Sequence, residues 1–238
     1  MIPFSPIQDS ELILRHSPFV RSTAKVLEYA NEFGSIGLTK SNAFNRKFVD
    51  WAATSFDWPG YTPRDLYAVN KVLNEIDFPP LGFIHEMLIA LKLARHYKGQ
   101  FKLTKAGKEL GNNITELFAV VAPFFLFRFD HGAFSRFNNP IEGNWDIFLN
   151  ILNLEAETAV SGAALSEKLF GPEEEVSGIR LQRKASGFYA AVLRPLCWLG
   201  LLREIKPANN FLAEALYEKT PLWKAALDLE RDKTLTST

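Results

Sequence analysis

The chain has 238 residues, is 47% hydrophobic and carries 5 tryptophans, 6 tyrosines and 20 phenylalanines, which is ample for a packed core and excludes a disordered chain. Lysine plus arginine equals aspartate plus glutamate at 27 each, so a protein-wide basic field is excluded and any anion-binding surface must be local. Cys197 is the only cysteine, which excludes an intrachain disulfide and cysteine-rich zinc sites.

The start, MIPFSPIQDSEL, lacks the basic residues and apolar run of a signal peptide. No segment reaches the roughly 18 consecutive apolar residues of a membrane span. A soluble, cytoplasmic protein with no membrane partner is expected. The first predicted helix lies in SPFVRSTAKVLEYANEFG, where Val20, Ala24, Leu27 and Ala30 recur at helical spacing and Gly34 supplies the stop. SIGLTKSN reads as a short strand and turn, and NRKFVDWAATSF puts Phe48, Val49, Ala52 and Phe56 on one helical stripe. Pro59-Gly60 breaks the chain, and Thr62 with Pro63 restarts it as N-cap and first helical residue, for a helix expected to reach about Ile76. FPP at 78 to 80 then seeds LGFIHEMLIALKLA, with Leu81, Ile84, Leu88 and Leu91 inward and Phe83, Glu86, Ala90 and Leu93 opposite. Arg95 to Lys98 and Gln100 to Leu103 flank Lys98-Gly99, a tight hairpin signal because glycine accepts positive φ. Thr104 caps the helix that follows.

Next comes LFAVVAPFFLFRFDHGAFSRF, with seven phenylalanines from Phe118 to Phe137, more apolar surface than one helix face needs. It reads as a connecting helix buried on most sides. The sharper reading is a homodimer interface through Phe124, Phe125, Phe127 and Phe129. A ring-lined pocket anchored by Arg128, Asp130 or His131 is a third. NWDIFLNILNLEAE is a helix with Ile147, Ile151 and Leu154 on one face, and SGAALSEKLFG a short helix from Ser161 to a stop at Gly171. After the acidic loop GPEEEVSG, RLQRKASGFYAAVLRPLCWLGLL reads as one long helix bent at Pro195, with Leu181, Ala185, Phe188, Val192, Leu196 and Leu199 inward. LREIKPANNFLAEALYEK is strand, PANN turn, strand; Thr220-Pro221 starts the last helix, and the tail KTLTST is expected to fray.

The order of helices, hairpin and capped helix thus occurs twice, for a mainly α chain with small β-hairpins. FKLTKAGKEL resembles the second wing strand and following helix of many bacterial winged-helix regulators, where LT-x-x-G is common. With the repeated order, the chain resembles two winged helix-turn-helix domains in tandem, at residues 15–111 and 143–238, joined by the aromatic segment 112–142. GLTKSNAFNRKFVDWA is similar to a group of uncharacterised bacterial proteins, some related to plasmid-encoded open reading frames, over roughly residues 15–110; that likeness brings no activity with it.

The resemblance implies DNA binding, with the third helix in the major groove and the wing on the backbone. In the second copy, Arg180, Gln182, Arg183 and Lys184 open that helix and Arg194 lies further along it, with small Gly187 and Ala190 between. Lys206 and Asn209 stand on its wing. In the first copy the third helix offers no base-reading side chain, so Lys98 and Lys102 on its wing, with Lys105 and Lys108, rank second. Glu173, Glu174 and Glu175 oppose phosphate unless their loop turns away. A DNA-binding transcriptional regulator acting as a homodimer on double-stranded DNA is expected; the alternative is a protein-protein interaction module on a winged-helix scaffold. His16, His85, His96 and His131 show no metal-ligand spacing, and no Walker loop, dinucleotide fingerprint or nucleophile elbow occurs. Asp130-His131 reads as a polar turn and Cys197 as inert packing, so no enzyme, metal or cofactor is expected.

Overall fold

The computed structural model describes residues 4–7, 12–131, 143–173, 175–176, 179–180, 183–206 and 214–229. The chain divides into two units: Ser17–Ala122, the first, and Met1–His16 with Pro123–Thr238, the second. Helix α1 (Pro18–Glu32) starts where the Ser17 hydroxyl accepts the Val20 amide, and it buries Phe19, Val20, Val26, Leu27 and Ala30. After β1 (Ile36–Gly37), α2 (Arg46–Ser55) begins at Asn45 and buries Phe48, Val49 and Ala52, with Phe56 buried just beyond, the stripe expected from sequence. Helix α3 (Pro63–Val69) starts from a capping box of Thr62 and Asp65. It ends at Asn70, well short of Ile76. The Asn70 side chain donates to the Leu66 carbonyl at 3.1 Å, and Val69, Val72 and Ile76 are exposed, so no buried stripe sustains the helix.

A 3-10 turn, Glu75–Asp77, leads into α4 (Pro79–Ala90). This helix buries Leu81, Ile84 and Leu88 as expected, but also Phe83, His85 and Met87. Phe83, and Leu93 after the helix, are therefore core residues and not an outward face. Strands β2 (Ala94–Tyr97) and β3 (Gln100–Leu103) form the hairpin, with Lys98 and Gly99 at φ of 50° and 71°. Two consecutive positive φ values are what a two-residue type I′ turn requires. Helix α5 (Lys105–Leu110) follows from Thr104, whose hydroxyl is directed to the Lys92 and Leu93 carbonyls and accepts the Gly107 amide at 3.2 Å. A Cβ at position 107 would meet the Leu93 carbonyl oxygen at 2.0 Å. The T-x-x-G spacing thus joins a cap to a close backbone approach that glycine alone permits. Helix α6 (Ile114–Arg128) carries the chain from the first unit into the second.

In the second unit α7 (Trp145–Glu155) buries Phe148, Leu149 and Leu152. The apolar face read from sequence is not the buried one: Ile147 is 49% and Leu154 43% exposed, and Ile151 is half-buried. Two apolar stripes compete on this helix, and the one that wins sets Phe148 against the rings of Trp145, Phe170 and Phe188. After β4 (Val160–Ser161), α8 (Gly162–Phe170) starts at Ser161 and stops at Gly171, φ 73°. The expected acidic loop holds β5 (Glu175–Val176), which pairs antiparallel with β6 (Ile179–Arg180) just beyond it, so Arg180, expected to open the long helix, lies in a strand.

The expected long helix is α9 (Arg183–Phe188), a π-helical turn over Tyr189–Leu193 and α10 (Arg194–Leu199). Pro195 brings no amide hydrogen and crowds the carbonyl four residues back. The turn ahead of it widens, and the Arg194 amide donates to the Tyr189 carbonyl. Phe188, Val192, Leu196 and Leu199 are buried as expected, Ala185 is half-buried, and Leu181 lies outside the described residues. Strands β7 (Leu202–Ile205) and β8 (Leu216–Lys219) precede α11 (Pro221–Ala226), which starts at Thr220. The PANN turn and the C-terminal tail lie outside the described residues.

The described chain is mainly helical, with two three-stranded antiparallel sheets of matching order, β1-β3-β2 and β4-β8-β7. The hairpins are closed alike. Lys92 ends α4 at φ 56° and Gly200 ends α10 at φ 76°. Beyond them the Leu93 amide donates to the Leu88 carbonyl, and the Leu201 amide to that of Leu196, each at 2.9 Å. After each hairpin a threonine, Thr104 or Thr220, returns its amide to Leu93 or Leu201 and caps the next helix. The units share this geometry with little letter-by-letter similarity.

Candidate functional site

Strand alternation gives the β2–β3 hairpin two chemically different faces. Its register sets Arg95 directly opposite Lys102 and His96 opposite Phe101. Arg95, Lys98 and Lys102 stand 5.6, 5.4 and 5.7 Å from the centre of the Tyr97 ring, which is 46% exposed. None of these cations forms an ion pair among the described residues. Like charges directly opposite each other weaken a strand pair, and their place over the ring offsets this by about 0.5–1 kcal/mol each. An anion placed over the cluster would turn that repulsion into attraction.

His96 belongs to the inner face, with Nε2 at 2.8 Å from Nε2 of His85 on α4. His85 Nδ1 lies 2.6 Å from Glu75 Oε1, and the other Glu75 oxygen accepts the Phe44 amide. The Phe44 ring stacks on His85 at 4.0 Å and Phe101 meets it edge-on. Glu75 and His85 are 8% and 6% exposed, whereas His96 reaches solvent. Partial burial, then the neighbouring His85 imidazole, hold His96 below its ordinary value, with Glu75 opposing. Sequence reasoning missed this chain of groups, since no motif links positions 75, 85 and 96. The available signal was a histidine in a helix whose other residues, Glu86 apart, are apolar or glycine. Among the described residues no cluster of three His, Cys, Asp or Glu side chains is placed to hold a metal ion.

The β7–β8 hairpin is arranged otherwise. Arg203 stands opposite Glu218 and pairs with it. Lys206 lies 3.3 Å from Glu204, Lys219 pairs with Glu157, and the Tyr217 hydroxyl donates to Glu204. Each of these cations has a carboxylate.

Of the residues expected to open a groove-reading helix, Lys184 is engaged. Lys184 donates to the Phe170 and Pro172 carbonyls at 3.1 and 2.9 Å, closing α8. Glu173 accepts the Ala185 amide at 2.8 Å, so a carboxylate already occupies the start of α9. Arg194 lies 5.3 Å from the Trp198 ring centre and is directed to the His131 carbonyl. Gly187 and Ala190 are buried, so no smooth face joins Arg183, which is exposed, to Arg194. Arg180 lies in β6; Gln182 and Asn209 lie outside the described residues. Of the expected contacts, the structure brings together Lys98 and Lys102, and adds Arg95.

The phenylalanines expected at an interface pack within the second unit. Phe125 is fully buried against Phe129, His131 and Trp198, and is a core residue. Phe127 meets Phe4 and Trp145, and Phe124 meets Phe129. His131 turns inward and donates from Nε2 to the Phe125 carbonyl at 2.7 Å. Burial lowers its pKa to about 4, against that hydrogen bond and with help from Arg194. Burial also raises the Cys197 thiol. Among the described residues no helix is long and apolar enough to cross a membrane.

The family model of the Y4jL N-terminal domain matches residues 15–116, and that of the y4jL C-terminal domain residues 135–221. The chain is 41% identical over 159 residues to an uncharacterized protein y4jL of Sinorhizobium fredii (strain NBRC 101917 / NGR234), which covers 66% of this chain and 72% of that protein. No solved structure matches it. The chain belongs to the Y4jL family.

Proposed function

We propose that this Y4jL-family protein is a DNA-binding regulator of winged-helix type that grips the phosphate backbone with the β2–β3 hairpin. Helix, short strand, helices and hairpin follow one another in each unit, with the short strand against the second hairpin strand; this order supports the winged-helix reading. The observation that carries the function is the rung of Arg95 and Lys102, joined by Lys98 over an exposed Tyr97 and lacking a described carboxylate partner. A polyanion relieves this repulsion, and a tyrosine among cations suits a sugar-phosphate surface. Helix α4 carries no arginine, lysine, asparagine or glutamine for bidentate contacts to guanine or adenine, and its outward residues include Glu86 and Ala90, so backbone contacts dominate and sequence preference is weak.

The test is an anisotropy titration of a mixed-sequence duplex across salt concentrations. Three phosphate contacts give a log–log slope of about −3. Binding weaker than about 10⁻⁴ M at low salt, or a slope near zero, would contradict the proposal.

Exposed Ile147 and Leu154 favour a second reading, a protein-interaction module that covers this face of α7. Sedimentation at micromolar concentration tests its simplest form, since a chain of 26.9 kDa that stays monomeric excludes a second copy as that cover.

A further inference from the structure

We propose that Glu75, His85 and His96 form a proton-operated latch that holds the β2–β3 hairpin on α4 and releases it on acidification. The three groups run from a buried carboxylate, through a buried imidazole, to an imidazole on the strand that carries the cation cluster. A carboxylate only accepts, so His85 donates Nδ1–H to Glu75, and its Nε2 is left to accept Nε2–H from His96. One added proton is tolerated. His85 then donates from both nitrogens, His96 accepts through Nε2 with its own proton on Nδ1, and the Glu75 charge offsets the new one.

A second proton is not tolerated. Each imidazolium carries N–H at both nitrogens, so two N–H groups and two positive charges would meet across 2.8 Å. The groups facing the pair are Glu75 from the 3-10 turn, Phe44 from the segment before α2 and Phe101 from β3. Of these Glu75 alone is charged, and its second oxygen is held by the Phe44 amide. The sign follows from proton binding. The closed hairpin takes the second proton less readily than an open one, so closure is favoured at neutral pH and lost as pH falls below the ordinary histidine range. The depressed His96 agrees with this direction.

The consequence for DNA rests on the function proposed above. The new charge lies on the face turned to α4, away from Arg95 and Tyr97, so it adds little where phosphate would sit. Freeing the strand removes the fixed geometry of the cluster, and affinity falls.

The experiment is NMR titration of the histidine rings in the full chain from about pH 8 to about pH 4.5, with amide exchange of the β2–β3 ladder corrected for intrinsic rates. Two linked ring titrations and roughly ten-fold faster exchange after the second step are expected. His96→Gln, which cannot take the charge, should make exchange independent of pH. Independent titration at ordinary values, with pH-independent exchange in the wild type, overturns the latch. A duplex titration at both pH limits separates the two proposals. Wild-type affinity should fall on acidification and that of His96→Gln should not. No duplex binding at any pH overturns the DNA reading, while the ring titrations and exchange still decide the latch.

Discussion

In the β2–β3 hairpin the second rung sets Arg95 against Lys102; in β7–β8 the corresponding rung sets Arg203 against Glu218. The frames around these rungs match: a left-handed residue ends the preceding helix, and a threonine closes the hairpin and caps the next helix. One hairpin is electrostatically complete within its own unit. The other gathers three cations on an exposed ring. Shared connectivity therefore does not assign a shared role, and the placement of carboxylates separates the two.

The largest expected effect concerns the buried histidine of each unit, because His85 hydrogen-bonds a carboxylate and His131 Nε2 a backbone carbonyl. The folded pKa of His131 is depressed to about 4, so the unfolded chain binds the proton first. Its contribution is complete above the ordinary histidine range and is lost as pH falls toward about 4. That amounts to about 3 kcal/mol of the second unit's stability. Urea unfolding at neutral and acid pH should show the loss, and His131→Gln should flatten it. An equal slope in that variant would remove His131 from the explanation.

Next in size is Gly107→Ala, which drives a methyl group into the Leu93 carbonyl and should cost about 2 to 3 kcal/mol in urea unfolding. The second unit has Trp223 at the matching place after its threonine, so this demand belongs to the first hairpin alone. A neutral outcome would show that the hairpin base is not set by that approach.

Smaller effects come from the rungs themselves. Arg95→Glu supplies the missing opposite charge and should stabilise its unit by about 0.5 kcal/mol, while Arg203→Glu should cost its own a similar amount. Thermal unfolding reads both, and shifts of the same sign would break the comparison.

Local devices were legible in the sequence. Thr62-Pro63, Lys98-Gly99, Thr104 and Thr220-Pro221 act through their nearest neighbours, and each forms as its residue types dictate. The Arg95–Lys102 rung was legible in principle too, since a two-residue turn at 98 and 99 fixes the register. Choices made by packing were not. Helix α7 offers two apolar stripes, and only the rings around Phe148 select one. Lys184 resembles a free cation until the Phe170 and Pro172 carbonyls appear beside it. Glu75, His85 and His96 meet only because the hairpin folds back onto α4.

The most direct test of the contrast is the salt dependence of duplex binding in wild type, Lys98→Ala, Lys102→Ala and Lys206→Ala. Each change on the first hairpin should reduce the log–log slope by about 0.9, the loss of one phosphate contact. Lys206→Ala should leave it unchanged, because Glu204 already neutralises that lysine. An equal reduction from Lys206→Ala, or unaltered slopes in both first-hairpin variants, would contradict the account.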